Sequence, residues 1–294
     1  MYALKTMELT KKFGNIIAVD KVSLCVKNGA ILGIVGENGA GKSTLLKMIT
    51  SSIYPTSGSV EFGDVKQQGM KPGIGGYVNV PKFYDTLSAK ENVEVIKRVS
   101  GKKECLDTKE VLDIVGLSDT GGKAVSKFSL GMKQRLALAM SLVTQPGIII
   151  LDEPLNGLDP QGIQDFRELI ISLSETKGIT FIISSHLLLE LEKIASDYIF
   201  MKKGKVIMDI SEKELKSNLF NYIKFNTNDI AKVKGILEDL VDTDKIIVDG
   251  DVITIISPTD KATDIIKKID SYGKNFLIEK QDLETYYKEL MKNA

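Results

Sequence analysis

The chain has 294 residues, 43% of them hydrophobic, enough to bury a core as one domain or as a large domain with a small companion. Lys and Arg number 39, as do Asp and Glu, so no surplus of positive charge exists to hold a phosphate backbone and no direct nucleic-acid partner is expected. Cys25 and Cys105 fit no disulfide framework or zinc spacing, the start has no signal-peptide core, and no apolar run nears the roughly 20 residues of a membrane span. A soluble protein of a reducing compartment is expected, one able to dock on a membrane protein.

In chain order, residues 16–35 are predicted as strand, turn, strand. Apolar residues alternate to Val26, Asn28-Gly29 breaks the pattern, and Ile31-Leu32-Gly33-Ile34-Val35 is apolar on both faces, as in an interior strand of a parallel sheet. A glycine-rich turn leads to a helix over 43–50, and a loop at 55–58 precedes a short strand at 59–62. From 87 to 122 the pattern is helical, with a polar break at 100–103. A further helix covers 129–143 and stops at Gln145-Pro146-Gly147. Ile148-Ile149-Ile150-Leu151 is a buried strand with Asp152-Glu153-Pro154 at its carboxyl end. A helix at about 161–175, a strand at 180–184 and a helix at 187–194 continue the alternation. The pattern predicts an α/β core with a β-rich N-terminal part, and ligands beyond the carboxyl ends of its strands.

Composition shifts after about residue 215. Strands at 222–225, 245–248, 252–256 and 275–279 enclose helices at 229–240 and 262–271, an order resembling a small α+β ferredoxin-like module, and a last helix covers 283–291. The expected domains are 1–215, with a helical subdomain at about 84–145, and an accessory domain at 216–294. The accessory part holds no phosphate motif or metal-ligand cluster, and its lysines are balanced by acids. It is read either as a subunit contact or as a packing extension of the main domain.

Gly36-Glu37-Asn38-Gly39-Ala40-Gly41-Lys42-Ser43 matches the eight-residue phosphate loop and stands between a buried strand and a helix. Gly39 and Gly41 free the backbone to turn its N–H groups around an anion, and the helix dipole adds to them. Lys42 would neutralise the β- and γ-phosphates, Ser43 would ligate Mg²⁺, and Thr44 adds a hydroxyl near the α-phosphate. A plain glycine-rich turn would explain the glycines but not the lysine and hydroxyl behind them. The motif by itself does not separate a kinase, a GTPase and an ATPase.

Adjacent carboxylates at a strand end repel each other unless a metal or donor compensates. Asp152 is therefore expected in the Mg²⁺ shell, and Glu153 as the group that deprotonates the attacking water. His186, the lone histidine, follows the strand at 180–184 at the same sheet edge, where it can sense the γ-phosphate.

Together these motifs resemble the nucleotide-binding subunit of ABC transporters over roughly residues 2–215. The discriminating stretch is Phe128-Ser129-Leu130-Gly131-Met132-Lys133-Gln134-Arg135. It is similar to the family signature, with Leu130 at the first glycine position and Met132 in place of glutamine. Those departures resemble the branch of bacitracin and lantibiotic self-protection exporters. The resemblance implies that Ser129 and Gly131 close over ATP bound by a second ATP-binding subunit, homo- or heterodimeric; a plain N-cap would explain Ser129 alone. It also implies that Phe13 stacks on adenine, that Asp159, in Asn156-Gly157-Leu158-Asp159-Pro160, belongs to the loop crossing the dimer axis, and that His186 is the switch histidine. Asn79 stands where the family has glutamine or glutamate, and the shorter amide is expected to meet Mg²⁺ through water or after tighter loop closure.

Phe83, Tyr84 and Leu87 belong either to a groove for a permease helix or to the core of the helical subdomain. The implied function is Mg²⁺-dependent ATP hydrolysis powering export of a peptide antibiotic or other amphipathic substrate. Export would run through a separate integral membrane permease, with this chain cytoplasmic on the membrane's inner face. A soluble ABC-type ATPase of translation or repair and a non-hydrolysing ATP-binding module are the alternatives. A single phosphate loop without sustained heptads weighs against the first, and an intact Glu153 against the second.

Overall fold

The computed structural model describes residues 1–63, 73–258 and 261–293. They divide into two compact units, Met1–Asp209 and Ile210–Ala294.

The larger unit begins with an antiparallel hairpin of β1 (Tyr2–Phe13) and β2 (Ile16–Lys27). Along β2, buried Val22, Leu24 and Val26 alternate with exposed Lys21, Ser23 and Cys25, the period of a half-covered strand. β1 has no counterpart among the predicted strands. Glu8 and Lys21 adopt φ of 45° and 48°, and the register shifts between Thr6 and Leu9, so a bulge breaks the two-residue period that marks a strand. Next come β3 (Ile31–Val35), α1 (Lys42–Ile49) and β4 (Ser57–Phe62), which joins the hairpin in the order β2-β1-β4.

β5 (Ile74–Tyr77) leads into a helical subdomain of α2 (Ala89–Ser100), α3 (Thr108–Ile114) and α4 (Leu130–Leu142). Ser88 and Glu91 form a capping box on α2, Gly101 at φ 61° ends that helix, and Asp107 and Ser129 cap the next two. The polar break expected at 100–103 is therefore a glycine helix stop.

β6 (Ile148–Asp152), α5 (Pro160–Lys177), β7 (Thr180–Ser185), α6 (Leu188–Leu191), β8 (Asp197–Lys202) and β9 (Lys205–Ser211) complete the main sheet. Its order is β5-β6-β7-β3-β8-β9, and the first five of these strands run parallel. β3, β6 and β7 are buried along their whole length. Val35 pairs with Ser185 and Asp152 with Ser184, which brings three strand ends to one edge. The helix expected at 187–194 is only the four-residue α6. The chain turns after it so that the Ser196 N–H reaches the Ile31 carbonyl at 2.9 Å.

The smaller unit holds α7 (Glu212–Asn218), β10 (Phe220–Asn226), α8 (Ile230–Glu238), β11 (Ile246–Asp249), β12 (Val252–Pro258), α9 (Ala262–Ile269), β13 (Lys274–Lys280) and α10 (Leu283–Asn293). Its antiparallel sheet has the order β11-β12-β10-β13, the split β-α-β arrangement of a ferredoxin-like fold. Ile223, Phe225, Ile253, Ile255, Val233 and Ile265 form its core. A Ser211–Glu214 capping box starts α7, and residues 215 and 216 lie within that helix. No described helix is long and apolar enough to cross a membrane.

Candidate functional site

Beyond Val35 the chain turns through residues 36–41 into α1. Gly39 and Gly41 have φ of 83° and 104°, backbone that any Cβ would strain, and at Gly41 a Cβ would lie 2.5 Å from the Ala18 carbonyl oxygen. This turn shapes a cavity of about 220 Å³ lined by Ala18, Glu37, Asn38, Gly39, Ala40, Gly41, Lys42, Ser43, Thr44 and Glu153. The first N–H groups of α1, unpaired within the helix, and its dipole favour an anion there. Gly36 begins the turn without lining the cavity. A Cβ on it would stand 2.7 Å from the Met201 carbonyl oxygen.

The Lys42 ammonium is buried. It donates to the Gly36 carbonyl at 2.6 Å and stands 3.3 Å from Glu153 Oε1. Glu153 adopts φ 51°, an unusual conformation for a side chain of its size, of the kind that clusters at functional sites. Its N–H is shared between the Ser184 carbonyl and Ser184 Oγ, both at 3.1 Å. Glu153 Oε2 accepts from the His186 backbone N–H at 3.2 Å and lies 2.8 Å from His186 Nδ1. An ionised Glu153 accepts from that nitrogen, so Nδ1 carries the hydrogen.

Asp152 is almost fully buried and both its oxygens are engaged: Oδ1 accepts from Ser184 Oγ, and Oδ2 from the Asn79 backbone N–H at 3.0 Å. The Asn79 side chain is exposed, and its φ is 69°. Two residues upstream, the Tyr77 hydroxyl donates to Gln134 Oε1 on α4. Burial, and after it the charge of Asp152, hold the Tyr77 phenol above its ordinary pKa, so it stays a neutral donor.

For Mg²⁺, the hard oxygens at hand are the Asp152 carboxylate and the Ser43 hydroxyl. No described group of three acidic, His or Cys side chains forms a metal cage. That donor set fits a cation that keeps its waters and shares substrate phosphates, and each Asp152 oxygen retains a lone pair after its protein hydrogen bond.

Four expected residues, Phe13, Ser129, Gly131 and Asp159, belong neither to the cavity lining nor to the hydrogen bonds around Asp152 and Glu153. Phe13 is exposed at the hairpin tip, with Lys11 Nζ 5.2 Å from its ring centroid. Ser129, also exposed, caps α4 by accepting from the Met132 N–H at 3.3 Å, and Gly131 lies in the first turn of that helix. Asp159 caps α5, accepting from the Gly162 N–H at 3.0 Å. Near the Asn79 loop Tyr84 is exposed while Phe83 and Leu87 are half-buried. Fully buried Asn92 accepts from the Tyr84 N–H and donates to the Tyr84 carbonyl.

Three residues of this network were not singled out from the sequence: Tyr77, Gln134 and Ser184. Only Ser184 had a readable signal, a hydroxyl closing an otherwise apolar strand at the level of the acidic pair.

A glycine turn joining a buried strand to a helix, with a buried lysine and two carboxylates at the carboxyl edge of a parallel sheet, defines a P-loop nucleotide hydrolase. The ABC transporter family model matches residues 19–156. The bacitracin transport ATP-binding protein BcrA of Bacillus licheniformis is 42% identical over 81% of this chain and 79% of its own length. The lantibiotic transport ATP-binding protein SrtF of Streptococcus pyogenes is 40% identical over 70% of this chain and 90% of its own. Among solved structures, the ADP conformation of the ATP-binding cassette MJ1267 superposes with a TM-score of 0.64 at 27% identity, over 74% of this chain and 94% of that one. The dimeric, post-hydrolysis cassette MJ0796 with ADP and Pi gives 0.62 at 26%, over 71% and 98%. This chain belongs to the ABC transporter ATP-binding family, and it is an ATPase.

Proposed function

We propose that this ATPase hydrolyses Mg²⁺-ATP at a site completed by a second ATP-binding subunit. It thereby drives export of a peptide antibiotic or other amphipathic compound through a separate integral membrane permease, at the inner face of the membrane. The observation that carries the shared site is the placement of Ser129. It opens a helix, is exposed, and stands outside the Lys42 cavity of its own chain.

In this reading Lys42 holds the β- and γ-phosphates, assisted by Gly36, Asn38, Gly39, Gly41 and Thr44 of the loop and first helical turn. Phe13 offers a ring face to adenine. Glu153 takes the proton from the attacking water, and His186, bonded to Oε2, keeps that carboxylate aimed. Asp152 and Ser43 would hold Mg²⁺, which supplies charge neutralisation on the phosphate oxygens. Asn79 stands at the edge of that shell through its contact with Asp152. From a second copy, Ser129 and Gly131 close over the γ-phosphate, and Asp159 lies along the shared axis.

Glu153→Gln tests the shared site. Turnover should fall about 10²–10⁴-fold, and ATP should trap a dimer visible by size-exclusion chromatography with light scattering. A variant that stays monomeric with ATP and keeps full turnover removes both the base and the shared site.

For the permease, a groove of about 290 Å³ between β5 and α4 is lined by Tyr77, Pro81, Lys82, Ile96, Met140 and Thr144. Exposed Tyr84 stands further along the same loop. Tyr84→Ala should reduce co-purification with the permease from solubilised membranes and leave basal hydrolysis intact. The names of the bacitracin and lantibiotic relatives support the substrate class. Drug resistance conferred only when chain and permease are co-expressed would test it.

A further inference from the structure

Asn79 is placed beside the acidic pair by its backbone. At φ 69° it occupies the left-handed region, where an ordinary side chain crowds the backbone and where asparagine is several-fold enriched among non-glycine residues. Its side chain is exposed, while its N–H reaches Asp152 Oδ2 at 3.0 Å. The other Asp152 oxygen accepts from Ser184 Oγ. One donor on each oxygen leaves the buried carboxylate little freedom to rotate, and only the Asn79 donor comes from outside the two central strands.

The segment before Asn79 is anchored as well. Tyr77 pairs in register with Leu151, and its hydroxyl bonds Gln134 on α4, the helix that Ser129 caps. Gly76, at φ 119°, lies so close to β6 that a Cβ would stand 1.9 Å from the Ile150 carbonyl oxygen.

We propose that Asn79 is a positioning residue: its left-handed backbone, rather than its side-chain amide, aims an N–H at Asp152, and the Tyr77–Gln134 bond anchors that turn to α4. The inference rests on the assignment of Asp152 to the Mg²⁺ shell. It makes glycine, and not glutamine, the conservative replacement at this position, because glycine keeps the N–H and adopts the left-handed conformation without strain.

The test uses the full chain and the variants Asn79→Gly, Asn79→Gln and Asn79→Ala. Amide hydrogen exchange of the 74–80 segment is followed without nucleotide or metal, beside the Mg²⁺ concentration that half-saturates ATP turnover. Asn79→Gly should stay within about threefold of the parent on both readouts, whereas Asn79→Gln and Asn79→Ala should lose protection and need more Mg²⁺, each by about tenfold. The reverse order, with Asn79→Gln at the parental level and Asn79→Gly tenfold worse, would assign the task to the side chain and overturn the proposal.

Tyr77→Phe tests the anchor, and Tyr77→Phe with Gln134→Leu repeats the test without leaving a buried acceptor orphaned. Both should speed exchange at Asn79; unchanged exchange in the pair overturns the anchoring half. If the parent chain showed no Mg²⁺-dependent turnover at all, the ATPase reading would fail, while the exchange order would still decide the backbone claim.

Discussion

The two units are built from the same materials, helices against a sheet, yet among the described residues only the larger one buries charge. Lys42 and Asp152 are the charged side chains buried among the described residues, and both stand at the carboxyl edge of the larger unit's parallel sheet. In the smaller unit β10 alternates without exception: Asn221, Ile223 and Phe225 are buried, and Tyr222, Lys224 and Asn226 are half-covered. Its ion pairs, such as Lys224–Glu279 and Lys245–Asp242, are surface pairs. Burying an ion costs several kcal/mol unless partners restore what water gave. The larger unit meets that cost with donors and counter-charges around Lys42, Asp152 and Glu153, the residues to which the proposed function assigns the phosphate chemistry. The smaller unit buries polar but uncharged side chains, Asn221, Thr227, Ser257 and Gln281, beside its apolar core.

The largest break in that contrast should come from Lys42→Ala. Removing the cation leaves Glu153 without its counter-charge and, in the proposed function, the phosphates without their lysine. Turnover should drop about 10²–10³-fold, read by phosphate release, with ATP binding weakened in calorimetry. Ser129→Ala should act at a different level. Loss of the cap costs about 1 kcal/mol of stability, seen as a small shift in thermal unfolding. In a Glu153→Gln background, ATP-driven dimerisation should also weaken about tenfold, as expected for one charge-assisted hydrogen bond. A stability loss without a dimerisation defect would reduce Ser129 to a helix cap.

In the smaller unit, Ile255→Val should cost about 0.5–1.5 kcal/mol in denaturant unfolding while turnover stays unchanged. A large kinetic effect there would mean that this module takes part in the ATPase cycle. Lys224→Ala sharpens the contrast at its small end. An exposed pair should contribute at most about 1 kcal/mol, and less as salt is raised.

Much of the fold was legible because local patterns carried it. Four consecutive apolar residues at 148–151 announce a strand buried on both faces, and the β-α-β-β-α-β order of the smaller unit follows from alternation and turn residues. The misses have physical causes. β1 hides behind a bulge at Glu8, and the helix expected at 187–194 is cut short by the turn that carries Ser196 to Ile31. α7 went unread because its capping box lies just before the shift in residue type. At the site, the left-handed φ of Asn79 and its N–H on Asp152 were not legible in its residue type, because both depend on how the turn is packed.

By itself the sequence determined the phosphate turn, the acidic pair at a strand end, the signature-like helix start and the pattern of the smaller unit. Each depends on a few consecutive residues whose backbone freedom, capping or periodicity is set by neighbours along the chain. Only the tertiary structure decided that Ser184 bonds both members of the acidic pair, that Lys42 meets Glu153, and that Tyr77 reaches Gln134. Those contacts join residues far apart in the chain. They depend on the order and register of parallel strands, which no stretch of local sequence encodes.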